Sequence, residues 1–174
     1  MSKLRCIAIA PKFTEDASMI QEYRLRYDSL ANLVPPHITL MFPFSSGILS
    51  EVLKRHLIDS CKDIGQFKIS TGQAGVLPDN VIALPILDGA CELKKLHDSL
   101  YKGAFSDFLN VDLPYHPHIT IGRFANLHAT EQGLEEAKMM PCLQGWVSEV
   151  YCEEIAPDNS SIVESVVRLT EANL

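Results

Sequence analysis

The 174-residue chain has no apolar run approaching the roughly 20 residues that a membrane-spanning helix needs, so no membrane protein is expected. A secretory leader is not expected either. The apolar stretch after Lys3 and Arg5 is cut short by Pro11-Lys12 and the acidic Glu15-Asp16. The five cysteines (Cys6, Cys61, Cys91, Cys142, Cys152) are odd in number, scattered, and never form a Cys-x-x-Cys pair. That spacing builds neither a zinc frame nor a disulfide frame, and it suggests thiols kept reduced, with the cytoplasm as the expected location. Positive charge is thin: 15 Lys and Arg against 22 Asp and Glu give a net charge of −7, with no basic run longer than a pair such as Lys94-Lys95. Proteins that grip long duplexes usually carry a basic stripe, so long double-stranded nucleic acid is not an expected partner. Low-complexity tracts and linkers are missing too. The rest is ordinary: 47% hydrophobic and 21% charged residues suit a globular chain able to bury a sizeable core.

What the chain does have is one phrase written twice, 81 positions apart (118 minus 37): Pro36-His37-Ile38-Thr39-Leu40 and Pro117-His118-Ile119-Thr120-Ile121. Ile, Thr and Leu suit a pleated, half-buried strand. Side chains alternate between the faces of a strand, so each copy offers an imidazole and a hydroxyl on one face and two aliphatic anchors on the other. A single His-x-Thr means little; its recurrence in matching surroundings is hard to ascribe to chance. Two imidazoles and two hydroxyls converging on one cleft would suit phosphoester chemistry without a metal.

The surroundings repeat as well. The pattern predicts a strand over Leu4–Ala10 and a helix over 16–31, carried by Met19, Ile20, Tyr23, Tyr27 and Leu30 and started near Thr14. The His37 strand runs to about Phe44. A helix at 48–64 and a strand at 67–77 complete the unit. The second unit gives a strand at Val81–Leu87, a helix at 89–102 capped by Asp88, the His118 strand to about Phe124, a helix at 128–140 starting near Thr130-Glu131, and a strand at Cys142–Ile155. A last strand is expected at about Ile162–Leu169. The fold class is therefore α+β: one bilobal body over 1–174, with internal repeats at about 4–78 and 79–155. Two antiparallel sheets are expected to face a central cleft, with helices outside. A monomer is expected.

The two phrases, with Arg24…Tyr27-Asp28…Pro35-Pro36 leading into the first and Gly122-Arg123-Phe124 closing the second, resemble the 2H phosphoesterase superfamily. The similarity is greatest to its bacterial branch of 2′-5′ RNA ligases and RNA 2′,3′-cyclic phosphodiesterases, and the order of elements extends it over almost the whole chain. The resemblance implies a bilobal fold with a cleft, hydrolysis of a cyclic phosphodiester to a 2′-phosphate, and no metal or other cofactor. It also implies that His37 is the acid on the leaving 3′ oxygen and His118 the base on water; the symmetry of the sequence does not distinguish them. The implied partner is a small nucleotide or an RNA terminus bearing a cyclic phosphate, which suits the thin positive charge. Alternatives are a 2′-5′ RNA ligase or 2′-5′ phosphodiesterase acting on RNA ends, and a nucleotide-binding module without turnover.

The residue types suit this chemistry. Imidazole, with an ordinary pKa near 6.5, populates both protonation states around neutrality and can serve as acid or base. Thr39 and Thr120 can donate to non-bridging phosphoryl oxygens. Arg123 has two readings. Its guanidinium would bind phosphate bidentately, yet strict alternation turns it away from His118 and towards a structural salt bridge, unless Gly122 introduces a bulge. Tyr115 and Phe124 carry rings able to stack on a base, whereas Phe42 is expected to face the core with Ile38 and Leu40. A His37/His116/His118 zinc site would need the strand to begin before Pro117 and a nearby carboxylate, so none is expected. His97 is expected to be packed or at the surface, and His56 and His128 on helix surfaces.

Overall fold

Ile38 and Ile119, which follow the two motif histidines, are partners in one antiparallel pairing, and both are fully buried. In the computed structural model, which describes residues 2–171, this pair joins the two repeats within a single sheet. The strands are β1 (Lys3–Ile9), β2 (Lys12–Phe13), β3 (Ile38–Ser46), β4 (Phe67–Ser70), β5 (Gly75–Leu77), β6 (Val81–Pro85), β7 (His118–Arg123), β8 (Gln144–Val147), β9 (Glu149–Ile155) and β10 (Ser161–Arg168). Seven form a sheet in the order β10-β9-β1-β3-β7-β6-β5, and three form a smaller one, β2-β8-β4. All named strands pair antiparallel. Helices α1 (Ser18–Tyr27), α2 (Ser50–Cys61), α3 (Ala90–Leu100) and α4 (Leu127–Ala137) complete an α+β fold with two antiparallel sheets.

The partition of strands differs from one sheet per repeat. β5 of the first repeat pairs with β6 of the second, and β9 of the second lies on β1 of the first. The helices cross over too: α1 packs against β7 and α3 against β3. Each repeat thus completes the sheet and covers the motif strand of the other. The motif strands meet at the centre because Ile38, Leu40, Ile119 and Ile121 all need the same core.

Two runs expected as single strands are each divided. The run at 67–77 becomes β4 in the small sheet and β5 in the large one; the run at 142–155 becomes β8 and β9 in the same way. In the second run the burial phase slips: Leu143, Gly145 and Val147 are buried, then Val150 and Cys152. The chain changes sheets at Ser148, and a period-two pattern read over a short window does not register a change of partner.

Helix termini also differ from the sequence pattern. Asp88 does not cap α3; its carboxylate accepts from the Ser70 hydroxyl at 2.6 Å, and Gly89 at φ +79° leads into the helix. A Cβ at Gly89 would lie 2.6 Å from the Lys68 carbonyl oxygen, so glycine is required there. Asn126 rather than Thr130 caps α4, accepting from the Ala129 N–H at 3.0 Å. Helix α1 stops at Tyr27 because Asp28 is extended, with its carboxylate held by Arg24.

Candidate active site

Antiparallel pairing about Ile38 and Ile119 sets Thr39 opposite His118 and His37 opposite Thr120, so each histidine lies beside the other repeat's threonine. All four side chains line one cleft of about 380 Å³ on the face of the large sheet away from the buried isoleucines. The same backbone device holds both rings. His37 Nδ1 lies 2.9 Å from the Pro35 carbonyl oxygen, and His118 Nδ1 lies 2.7 Å from that of His116. A carbonyl only accepts, so Nδ1 carries the proton in each ring and Nε2 is left free for chemistry. Burial lowers the His37 pKa from 6.5. The Pro35 carbonyl and the Glu153 carboxylate oppose that shift, while Arg24 and Arg123 add to it.

Beyond the threonines both motif strands break their alternation at the same place. On β3 the register with β1 slips between Ile7 and Ala8 and again between Arg5 and Ile7. On β7 the register with β6 slips between Ile82 and Ala83, where Thr120 and Gly122 are the successive partners. Each slip inserts an extra residue into the motif strand, and the next side chain changes face. Phe42 is therefore not inward with Ile38 and Leu40; it lines the cleft, and Met41 takes the buried position. Arg123 likewise lines the cleft instead of the opposite face. A Cβ at Gly122 would lie 2.8 Å from the Phe124 ring, so the bulge there needs glycine.

Arg123 is also ion-paired. Its Nη1 donates to Asp28 Oδ1, and the buried Arg24 holds Asp28 Oδ2 with Nε and Nη2, both at 3.0 Å. Asp28 is enclosed, whereas the Arg123 side chain is 39% exposed. The two features expected as alternatives coexist: a structural pair fixes one edge of the guanidinium and leaves the side chain open to the cleft.

Tyr115 is not in the cleft. Its hydroxyl donates to the Thr39 carbonyl at 3.0 Å, and its ring stacks on His97 with centroids 4.0 Å apart, so it supports the first motif from behind. Phe124 packs against Tyr27 with centroids 5.2 Å apart, also outside the cleft lining. His116 is exposed and contributes its carbonyl rather than its ring. Among the described residues, no group of three or more His, Cys, Asp and Glu side chains is disposed to hold a metal ion. His97 is buried and His128 exposed. His56 is half-buried, not a free surface group: it stacks on Phe105 at 4.1 Å and hydrogen-bonds the Leu100 carbonyl at 2.8 Å.

The other cleft walls were not evident in the sequence. Leu4 and Cys6 come from β1, Leu30 and Val34 from the segment after α1, and Glu153, Asn159 and Ser161 from β9 and the hairpin to β10. These residues carry no motif; the pairing of β9 with β1 is what brings Glu153 in. Cys6 is a packing thiol, pushed up to about 12 by burial, and its Sγ donates to the Met41 carbonyl. The cleft is thus lopsided: Phe42 with Leu4 and Cys6 of β1 stands towards one end, where the Glu153 carboxylate also enters, and Arg123 stands towards the other.

A sequence profile described as the 2′-5′ RNA ligase superfamily matches residues 11–158. The chain belongs to this superfamily, the 2H phosphoesterases that its paired motifs resemble. A protein of Geobacillus thermodenitrificans, named as a candidate phosphoesterase, is 38% identical over 104 residues, which are 58% of this chain and 58% of that protein. A Bacillus anthracis protein of the same description is 31% identical over 140 residues, 78% of this chain and 73% of the relative. The first of these matches spans less than two thirds of the relative's length. Among solved structures, apo Escherichia coli LigT superposes with a TM-score of 0.66 at 18% identity, covering 98% of this chain and 99% of LigT. LigT bound to 3′-AMP gives 0.62 at 17% identity, covering 98% and 100%. At such identities the likeness concerns the fold.

Proposed function

We propose that this protein is a phosphodiesterase that opens 2′,3′-cyclic phosphates of nucleosides or RNA ends to 2′-phosphates, with His37 and His118 as paired acid and base. One observation carries the reading: two imidazoles, each with Nδ1 tethered to a carbonyl, share a single cleft with the two motif threonines. Opening a cyclic phosphate requires one group to take a proton from water and another to give one to the departing ribose oxygen. The free Nε2 of each ring serves these roles in turn, and Thr39 and Thr120 donate to the non-bridging oxygens as charge develops. Arg123, steadied by Asp28, adds a fixed positive charge.

His37 becomes the acid on binding. Burial lowers its pKa and so favours the neutral ring, whereas an arriving phosphodiester anion favours the imidazolium. Phe42 and the apolar wall take the base or the leaving segment. LigT has been crystallised with 3′-AMP, ATP, NADP+ and phosphate, all phosphate-bearing molecules, which supports a ligand of that class here. The family description favours a second reading, in which the same groups run in reverse and join RNA ends through a 2′-5′ bond. The five free thiols suit action in the cytoplasm.

The test is a substrate panel of 2′,3′-cyclic nucleotides, 2′-5′ dinucleotides and ADP-ribose 1″,2″-cyclic phosphate, assayed with and without EDTA. The expected result is ring opening to the 2′-phosphate at a rate that EDTA leaves unchanged. Tight binding with no turnover of any member would make the protein a binding module. Loss of turnover in EDTA, restored by zinc, would overturn the acid-base assignment.

A further inference from the structure

The first motif strand is supported from an unexpected side. Among the described residues β3 and β7 share a single ladder pair, Ile38–Ile119, so β3 has little support from that neighbour beyond the motif. β3 is also irregular here, because its bulges take Phe42 out of the ladder with β1. Two tyrosines of the second repeat meet β3 on either side of this irregularity. Tyr115 donates its hydroxyl to the Thr39 carbonyl at 3.0 Å, and the Tyr101 hydroxyl accepts from the Phe42 N–H at 3.1 Å. His97, 6% exposed, lies against both rings, with centroid distances of 4.0 Å to Tyr115 and 4.9 Å to Tyr101. Asp98 Oδ1 holds His97 Nδ1 at 3.0 Å. Among the described residues, no tyrosine hydroxyl bonds the backbone of β7 at its bulge. That bulge relies on the missing side chain of Gly122, packed under Phe124 and Tyr23.

We infer that Tyr101 and Tyr115, braced on His97, are positioning residues that fix the first catalytic strand, Tyr115 setting Thr39 and Tyr101 setting Phe42. The argument is one of accounting. Burying a backbone N–H or carbonyl without a partner is costly, so a strand leaves its ladder only where other groups satisfy it. The Tyr101 hydroxyl does that at Phe42, which has left the ladder, and the Tyr115 hydroxyl adds a second bond at Thr39, which still pairs with Ala8 just before the bulges. Tyr115 is half-buried and stacked on His97, and Tyr101 is buried and tilted against it. Hydroxyls on rings held in this way have little freedom, so their bonds define a position and do not merely neutralise a polar group. The device is asymmetric, although the motif it serves is duplicated.

The two tyrosines should separate kinetically, because Thr39 faces the phosphate and Phe42 the apolar wall. This part rests on the proposed cyclic phosphodiesterase reading. Tyr115→Phe keeps the stack on His97 and removes one bond, and it should lower kcat on a 2′,3′-cyclic nucleotide about 10-fold, with KM nearly unchanged. Combining it with Thr39→Ala should cost little beyond Thr39→Ala alone, since both act through one hydroxyl, whereas combining it with Arg123→Ala should be additive. Tyr101→Phe should raise KM several-fold and spare kcat.

A readout independent of turnover distinguishes failure of this inference from failure of the functional reading. Amide hydrogen exchange at Phe42 should accelerate in Tyr101→Phe at least about 10-fold more than at neighbouring core amides of β3. Selective loss of Phe42 protection with the expected kinetic split supports the inference. Unchanged Phe42 exchange, or additivity of Tyr115→Phe with Thr39→Ala, overturns it. If no cyclic phosphate is turned over, selective Phe42 exchange still supports the positioning role and counts against the functional reading alone.

Discussion

Phe42 and Arg123 occupy equivalent places in the two halves of the cleft, each five residues after its motif histidine and each turned inward by a bulge in its own strand. The two motif strands share one backbone irregularity, and the difference between Phe42 and Arg123 makes the two ends of the cleft chemically different. An aromatic ring lines one end, and a guanidinium anchored by Asp28 lines the other.

Replacing either motif histidine by alanine is expected to lower the rate on a cyclic phosphate by about 10²–10⁴-fold, the usual worth of a positioned acid or base. The double variant should be little slower than either single one, because the two act as a unit. Thr39→Ala and Thr120→Ala should cost less. Steady-state kinetics on purified variants check this, and parental rates in both single histidine variants would remove the site assignment.

Arg123 and Asp28 share an ion pair, yet their replacements should differ in kind. Arg123→Ala leaves Asp28 with Arg24, so it should raise KM with little loss of stability. Asp28→Ala leaves the buried Arg24 charge without its partner and is expected to cost about 3–5 kcal/mol of stability. Thermal melts and KM values measured side by side test the pair; a large fall in Tm for Arg123→Ala would make its role structural.

The pH dependence should report the desolvation of His37. With His37 as acid, activity is lost as pH rises through its pKa. That pKa lies below 6.5 in the free protein and should be raised by a bound phosphate anion. The high-pH limb of kcat/KM, which reports free protein, should therefore fall at lower pH than the high-pH limb of kcat. A shift confined to the low-pH limb would make His37 the base instead.

Acid stability should depend on a group far from the chemistry. Glu164, the extra residue where β10 bulges against β9, bonds the buried Arg5 guanidinium at 2.7 Å and 3.1 Å. That bond lowers its pKa from 4.5 to about 2. A carboxylate depressed in the fold contributes stability above its unfolded pKa and loses it as pH falls through the folded value. Stability should therefore decline from about pH 4.5 towards about 2. Glu164→Gln should be less stable at neutral pH with a flatter acid limb, as melts across that range would show; an unaltered acid limb would count against the assignment.

Much of this could be read from the chain alone, and for a definite reason. Alternation within His37-Ile38-Thr39-Leu40 and its copy assigns faces without knowledge of any partner, because pleating is a local property of the backbone. The repeat at 81 positions predicts that the copies stand in corresponding places. Helix and strand order follows from local periodicity in the same way.

Tertiary structure decided whatever depended on a partner strand. A bulge exists only as a mismatch between two strands, so the inward turn of Phe42 could not be read from β3, and Arg123 was left with two readings until β6 fixed its register. Tyr115 carries the same ring whether it meets a base or a carbonyl; the Thr39 oxygen and the His97 face settle which. Glu153 and Asn159 enter the cleft because β9 of the second repeat lies on β1 of the first, a swap that no local pattern encodes. The sequence by itself determined which residues form the paired motif and share a strand face, since motif and face are local, and the tertiary structure decided what surrounds them, since walls, bulges and ion pairs are made between segments far apart in the chain.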